Sequence, residues 1–202
     1  PESALGIYKK AEVYRRQTGN LDLIVNMYNR MMLELLPVEA PLMKALRHKI
    51  DRLVYVSTAG VFGPDDRVNP RPMTHYGAQK LAIEGSARAY HADHGLPSVG
   101  FRPYIVYGPG QSSGIAAGPS IALGAAMRGE PATIRFSGRV GFVHVFDVAR
   151  LMAVAVSSPM QGAEAYTLCG ETAEMADFVS ALKVQVPQAS VSVEGPPLRI
   201  PA

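Results

Sequence analysis

Short apolar runs alternate with longer stretches of helical periodicity, and glycine, proline or hydroxyl residues punctuate the boundaries. That rhythm predicts an α/β chain. Leu53 to Val56 is a β-branched and aromatic run that stops abruptly at two hydroxyl residues, Ser57 and Thr58. A turn-like Gly63-Pro64-Asp65-Asp66 follows, and then a helix from Tyr76 to His94 that Gly95 ends. Its residues Leu81, Ala82, Gly85, Ala89 and Ala92 mark a small, close-packing face. Ser98 to Phe101 is the next strand, and it delivers Arg102-Pro103-Tyr104. Further on, the pattern predicts a helix over Ser120 to Met127, strands over Ile134 to Phe136 and Val140 to Val145, and a helix opening at Phe146. A strand over Tyr166 to Leu168, a helix over Thr172 to Val186 and a strand over Val191 to Val193 complete the set. Upstream, a helix is expected from Glu2 to about Thr18, a short strand over Leu21 to Val25, and a methionine-rich helical stretch from Tyr28 to Ile50 that Pro37 and Pro41 interrupt.

Composition narrows the class. With 202 residues, 48% of them hydrophobic and 18% charged, the chain can bury one core and a small appendage. The net charge of +3 comes from scattered Lys and Arg, so no nucleic-acid partner is expected. The single cysteine, Cys169, excludes an internal disulfide and suits a reducing compartment. Its place at the end of a strand predicts a buried, inert thiol. No apolar run is long enough for a membrane span, no leader pattern opens the chain, and no Cys/His spacing suggests a metal. A cytoplasmic protein is expected.

The candidate chemistry lies between residues 53 and 80. Tyr76 and Lys80 are one helical turn apart and share a face. A strand-end hydroxyl, Thr58, beside such a pair forms a proton-transfer constellation. Thr58 can hold a substrate oxygen, the Tyr76 phenol can exchange a proton with it, and Lys80 can lower the phenol pKa. Asp147, near a helix start, is read as a cap, and His144 as structural.

Four motifs occur in a telling order: VSTAGVFG, YGAQK, FRPYIVYGPG and FVHVFDVA. The chain resembles the extended short-chain dehydrogenase/reductases, the NAD-dependent epimerase/dehydratase family typified by UDP-galactose 4-epimerase. The resemblance implies a Rossmann-like parallel sheet, truncated at the N-terminus, with a small C-terminal α/β substrate lobe. Residues 1–110 would form the partial NAD(P)-binding domain and 111–202 the substrate lobe, with part of 130–160 returning to the first domain. It implies Thr58, Tyr76 and Lys80 as the catalytic triad. Ser57, Tyr76, Lys80, Pro103, Tyr104, Ile105 and Val106 would meet NAD or NADP, and Thr58, Ala59, Gly60, Ser112 and Ser113 a carbohydrate-like substrate. A homodimer is implied through the small-residue helix face.

Departures from the family pattern sharpen the expectation. Ala59 and Gly60 stand where dehydratases carry an acid, which argues for epimerisation or oxidation. Ile105 stands where nucleotide-sugar epimerases often carry an Asn, which argues for a smaller substrate. The phosphate-cradling G-x-x-G-x-x-G loop has no counterpart, because Gly6 and Gly19 are the only glycines before residue 60. The chain is therefore expected to be a fragment or a natural truncation, and marginal, partner-dependent or inactive alone. The alternative function is a non-catalytic relative kept as a fold or interaction module.

Overall fold

The computed structural model describes Leu42 and residues 48–201, so the predicted elements between Glu2 and His48 lie outside the described residues. The chain divides into units 1–44 and 45–202, and every element below belongs to the second.

Strand β1 (Leu53–Val56) runs parallel to β2 (Ser98–Pro103), with Tyr55 opposite Gly100. Strand β6 (Ala163–Leu168) joins the other side of β2, also parallel, giving the order β1-β2-β6. Alternation along the strands separates two faces. Tyr55, Ser98, Gly100 and Arg102 share the face covered by helix α1 (His75–His94). A side chain at Gly100 would sit 2.6 Å from the Tyr55 ring, so only glycine lets that ring lie across β2. Val99 and Phe101 face the opposite way, toward Leu151 and Val154 of helix α3 (Val145–Ser157).

The second layer set is a lobe. Strands β3 (Ile105–Tyr107), β5 (Arg139–His144) and β7 (Glu171–Glu174) form one sheet, with β3 parallel and β7 antiparallel to β5. Strands β4 (Ala132–Ile134) and β8 (Val191–Val193) form a parallel pair. Helices α2 (Gly118–Arg128) and α4 (Met175–Gln185) close the core, in which Ile134, Phe136, Val140 and Met175 are at most 1% exposed. Burying four such side chains contributes roughly 1.5–3 kcal/mol each before chain entropy is counted.

The predicted α/β class holds, as do β1, α1, β2, α2 and β8, with small boundary shifts. Four readings need correction. The helix predicted over Thr172 to Val186 is a strand, Glu171–Glu174, followed by a helix, Met175–Gln185. Of Glu171 to Glu174 only Thr172 favours a strand, and pairing with β5 imposes the extended form. The strand predicted over Ile134 to Phe136 ends at Ile134, where its pairing with β8 stops. Cys169 lies just past β6 and is exposed rather than buried. The side-chain cap of α3 is His144, whose Nδ1 accepts the Phe146 N–H at 3.3 Å, so Asp147 contributes only first-turn charge.

Candidate active site

The site grows from the end of β1. After Val56 the chain leaves the sheet, and the Ser57 N–H donates to Phe101 C=O at 2.6 Å, which keeps β1 and β2 together to their carboxyl ends. Thr58 then caps a 3-10 turn, Ala59–Val61, its Oγ1 accepting the Gly60 N–H at 3.1 Å. The next loop is braced by Asp66, whose carboxylate accepts from the Val68 and Asn69 backbone N–H groups. Those bonds hold its carboxyl below the ordinary carboxylate range. The loop hands over to Thr74, whose Oγ1 caps α1 by accepting from the Gly77 N–H at 3.0 Å.

Gly77 is the hinge of the arrangement. A Cβ there would lie 2.0 Å from Gly60 O, so the first turn of α1 rests directly on the turn that Thr58 caps. Tyr76 precedes that contact and stays 56% exposed. Lys80 follows one turn on. Its Nζ donates to Val56 C=O at 3.0 Å and lies 5.7 Å from the Tyr76 ring centroid. The structure thus brings Thr58, Ala59, Gly60, Tyr76 and Lys80 to one rim at the carboxyl ends of parallel strands. Such rims are where open α/β sheets build their sites.

Electrostatics qualify the expectation for the phenol. Partial burial pushes the Tyr76 pKa up, and the same partial burial pushes the Lys80 pKa down. Desolvation is the cause of both shifts.

Pro103, Tyr104 and Ile105 are buried where β2 passes into β3, and Val106 is half-buried. The Tyr104 N–H donates to Leu168 C=O, and burial raises its phenol pKa. Ser112 and Ser113 are exposed beyond Gly110. Ser112 lines a separate cleft of about 690 Å³ with Tyr107, Gln111, Ser120 and His144, whose lining includes none of Thr58, Tyr76 or Lys80.

One group escaped the sequence reading. Glu84 is fully buried, and it accepts from Ser57 Oγ at 2.5 Å and from Arg102 through both carboxylate oxygens, at 2.8 and 2.5 Å. The bidentate pair holds the Arg102 guanidinium above its ordinary pKa. The signal was available: Tyr76, Lys80 and Glu84 recur every fourth residue, and a carboxylate in line with a helix's functional face needs a partner.

Among the described residues no cluster could hold a metal ion, and no helix is long and apolar enough to cross a membrane.

Comparison with known proteins identifies the family and the fold. The model of the "NAD dependent epimerase/dehydratase family" matches residues 28–169, most of the chain. The chain belongs to the NAD-dependent epimerase/dehydratase family. An uncharacterized UDP-glucose epimerase of Bacillus subtilis is 29% identical over 153 residues, which is 71% of this chain and 46% of that protein. The UDP-glucose 4-epimerase of Thermus thermophilus, solved with NAD, superposes with a TM-score of 0.72 at 26% identity, over 84% of this chain and 60% of that one. A partial-consensus L-threonine 3-dehydrogenase superposes equally well, with a TM-score of 0.72 at 22% identity, covering 81% of this chain and 58% of that one, and shares the fold. The family member described here spans less than two thirds of the length of each of these relatives.

Proposed function

We propose that this chain carries the catalytic rim of an NAD(P)-dependent epimerase or dehydrogenase acting at a carbinol carbon of a small carbohydrate-like molecule. The observation that carries the reading is the seat of Gly77 on Gly60, which lays the Tyr76/Lys80 turn against the turn that Thr58 caps. Thr58 Oγ1 holds the substrate oxygen, with Ala59 and Gly60 lining the approach. Tyr76 takes the hydroxyl proton, and Lys80 stabilises the phenolate while its remaining N–H groups reach the nicotinamide ribose. NAD or NADP, when bound, accepts the hydrogen of the carbinol carbon as hydride. Ser57 and the Pro103-Tyr104-Ile105-Val106 segment would hold the carboxamide end of the cofactor.

The residues fit that group at its nicotinamide end, since an exposed tyrosine and a lysine held at a strand-end carbonyl flank an open rim. The raised phenol pKa must be reversed for base catalysis near neutral pH. Lys80, one turn along the helix, and the positive charge that an oxidised nicotinamide would bring are the groups placed to lower it. Ala59 offers no acid for β-elimination, which supports epimerisation or simple oxidation. Ile105, 3% exposed, offers no amide to a sugar phosphate, which supports a substrate smaller than the UDP-glucose of the Bacillus relative's name. Ala82, Ala89 and Ala92 are exposed along α1, which supports a homodimer packed through that stripe. A reducing, cytoplasmic setting suits the exposed free thiol of Cys169.

The test is turnover with NAD or NADP across a panel of sugars and sugar acids, in the wild-type protein and in Tyr76→Phe. Loss of about 10²–10⁴-fold in kcat with cofactor affinity nearly unchanged is expected. Equal turnover in the variant removes the assignment. Cofactor binding without turnover on any substrate favours a non-catalytic module.

A further inference from the structure

We propose that Glu84 is the positioning residue of this site: its buried carboxylate sets the register of α1 against the ends of β1 and β2, and so holds Tyr76 and Lys80 opposite Thr58. The inference rests on the function proposed above. One carboxylate touches all three segments that build the rim. Through Ser57 Oγ it grips the residue before Thr58, at 2.5 Å. Through Arg102 it grips the residue before Pro103, by two parallel bonds. Through its own backbone it belongs to the helix of Tyr76 and Lys80, two turns and one turn downstream of them.

Besides the seat of Gly77 on Gly60 and the Lys80 bond to Val56 C=O, the helix is anchored by Glu84 at its buried face. Its fully buried residues are Gly77, Glu84 and Ala87. Gly77 and Ala87 are small, and small residues allow close approach but form no deep knob to resist sliding or rotation. A bidentate guanidinium–carboxylate contact is directional, and a shift of the helix would break it. Arg102 is itself fixed, its guanidinium lying 5.1 Å from the centroid of the buried Phe62 ring. The Phe62 N–H donates to Ala59 C=O within the same turn that Thr58 caps. The chain of contacts therefore closes on the catalytic rim from both sides.

The test replaces the pair in the whole protein by apolar residues of similar length, Glu84→Met with Arg102→Met, because such replacements commonly preserve the fold. The expected result is a cooperatively folded variant in which amide exchange at Gly60 and Gly77 is about tenfold faster, while exchange at Ala125 and Ala126 in the lobe is unchanged. Where turnover is measurable, kcat falls about tenfold or more and KM stays within about threefold, since displacement of reacting groups costs rate rather than affinity. Should the double variant fail to fold, Glu84→Gln is read by the same measurements. A folded variant with wild-type exchange at Gly60 and Gly77, or with wild-type kcat, overturns the proposal. The Tyr76→Phe control separates the two readings. If it keeps wild-type turnover, the proposed function fails, and the exchange measurement alone then decides whether Glu84 sets the register.

Discussion

Tyr55 shows how one side chain can oppose the stability of the site it supports. Its hydroxyl is buried beneath α1 without a hydrogen-bond partner, and burial, reinforced by the nearby Glu84 carboxylate, pushes its pKa from 10 up to about 12. A buried hydroxyl without a partner carries a desolvation cost of about 1–3 kcal/mol. Tyr55→Phe keeps the ring that lies across Gly100 and removes that cost, so the variant is expected to be more stable by about 1 kcal/mol at pH 7. The pH dependence has a definite sign. The folded protein keeps this phenol neutral, whereas the unfolded chain ionises it near pH 10, so the unfolded state binds fewer protons between pH 10 and 12. Wild-type stability should therefore fall across that window by about 1–2 kcal/mol more than that of Tyr55→Phe, after allowance for partial solvent screening. Urea titrations of both proteins at pH 8, 10 and 11.5 check this, and parallel decline would refute it. The same burial argument separates what was legible at this scale from what was not. Tyr76 and Lys80 could be picked out as candidates because their spacing is local, and Thr58 because it ends a strand-like run. Glu84 shares that helical spacing, but its role depends on Ser57 and Arg102, which only folding brings to it.

At the scale of elements, the strands and helices that stand on their own local signals were readable. β1 is a β-branched and aromatic run, α1 has a Thr74 cap and a left-handed Gly95 stop, and β8 alternates cleanly. Elements fixed by their partners were not readable. β7 borrows its extended form from β5, and β4 stops where β8 stops. The 3-10 turn at Ala59–Val61 belongs to this second group, since its position matters through the helix laid against it. Gly77→Ala tests that contact. Alanine improves intrinsic helix propensity by about 1 kcal/mol, yet its Cβ would overlap a backbone carbonyl oxygen that cannot move without dislodging the Thr58 cap. Overpacking against a backbone atom stands at the upper end of the usual range of about 1–3 kcal/mol, so net destabilisation of about 2 kcal/mol is expected. Turnover, if the proposed function holds, should fall more steeply than stability does, because the helix backs away from Thr58. A variant as stable as wild type in thermal melts would show that the two elements do not press on each other.

At the scale of the folded unit, the open question is whether the β1-β2-β6 sheet and the β3-β5-β7 lobe unfold together. They are joined by covalent continuity at Tyr104 and by two close approaches. The Tyr104 ring packs where a side chain at Gly141 would stand, 3.0 Å away, and the Tyr104 N–H bonds Leu168 at the end of β6. Gly170, in the step from β6 to β7, passes so near Phe142 that an added Cβ would fall 1.8 Å from the carbonyl oxygen and 2.9 Å from the carbonyl carbon. Both obstructing atoms are backbone in β5, so no rotamer change can relieve the overlap. Gly170→Ala must therefore move β7 relative to β5, or the β6 end relative to the lobe, at a cost of about 3 kcal/mol. Because the strained link lies between the two sheets, the loss should reach both. Hydrogen exchange should accelerate by a similar factor at Val99 in β2 and at Val140 in β5, while unfolding remains one transition lowered in midpoint. Acceleration confined to the lobe, with β2 protected as in wild type, would mean that the rim bearing Thr58, Tyr76 and Lys80 is held by its own sheet alone. The lobe could then be repacked without disturbing it.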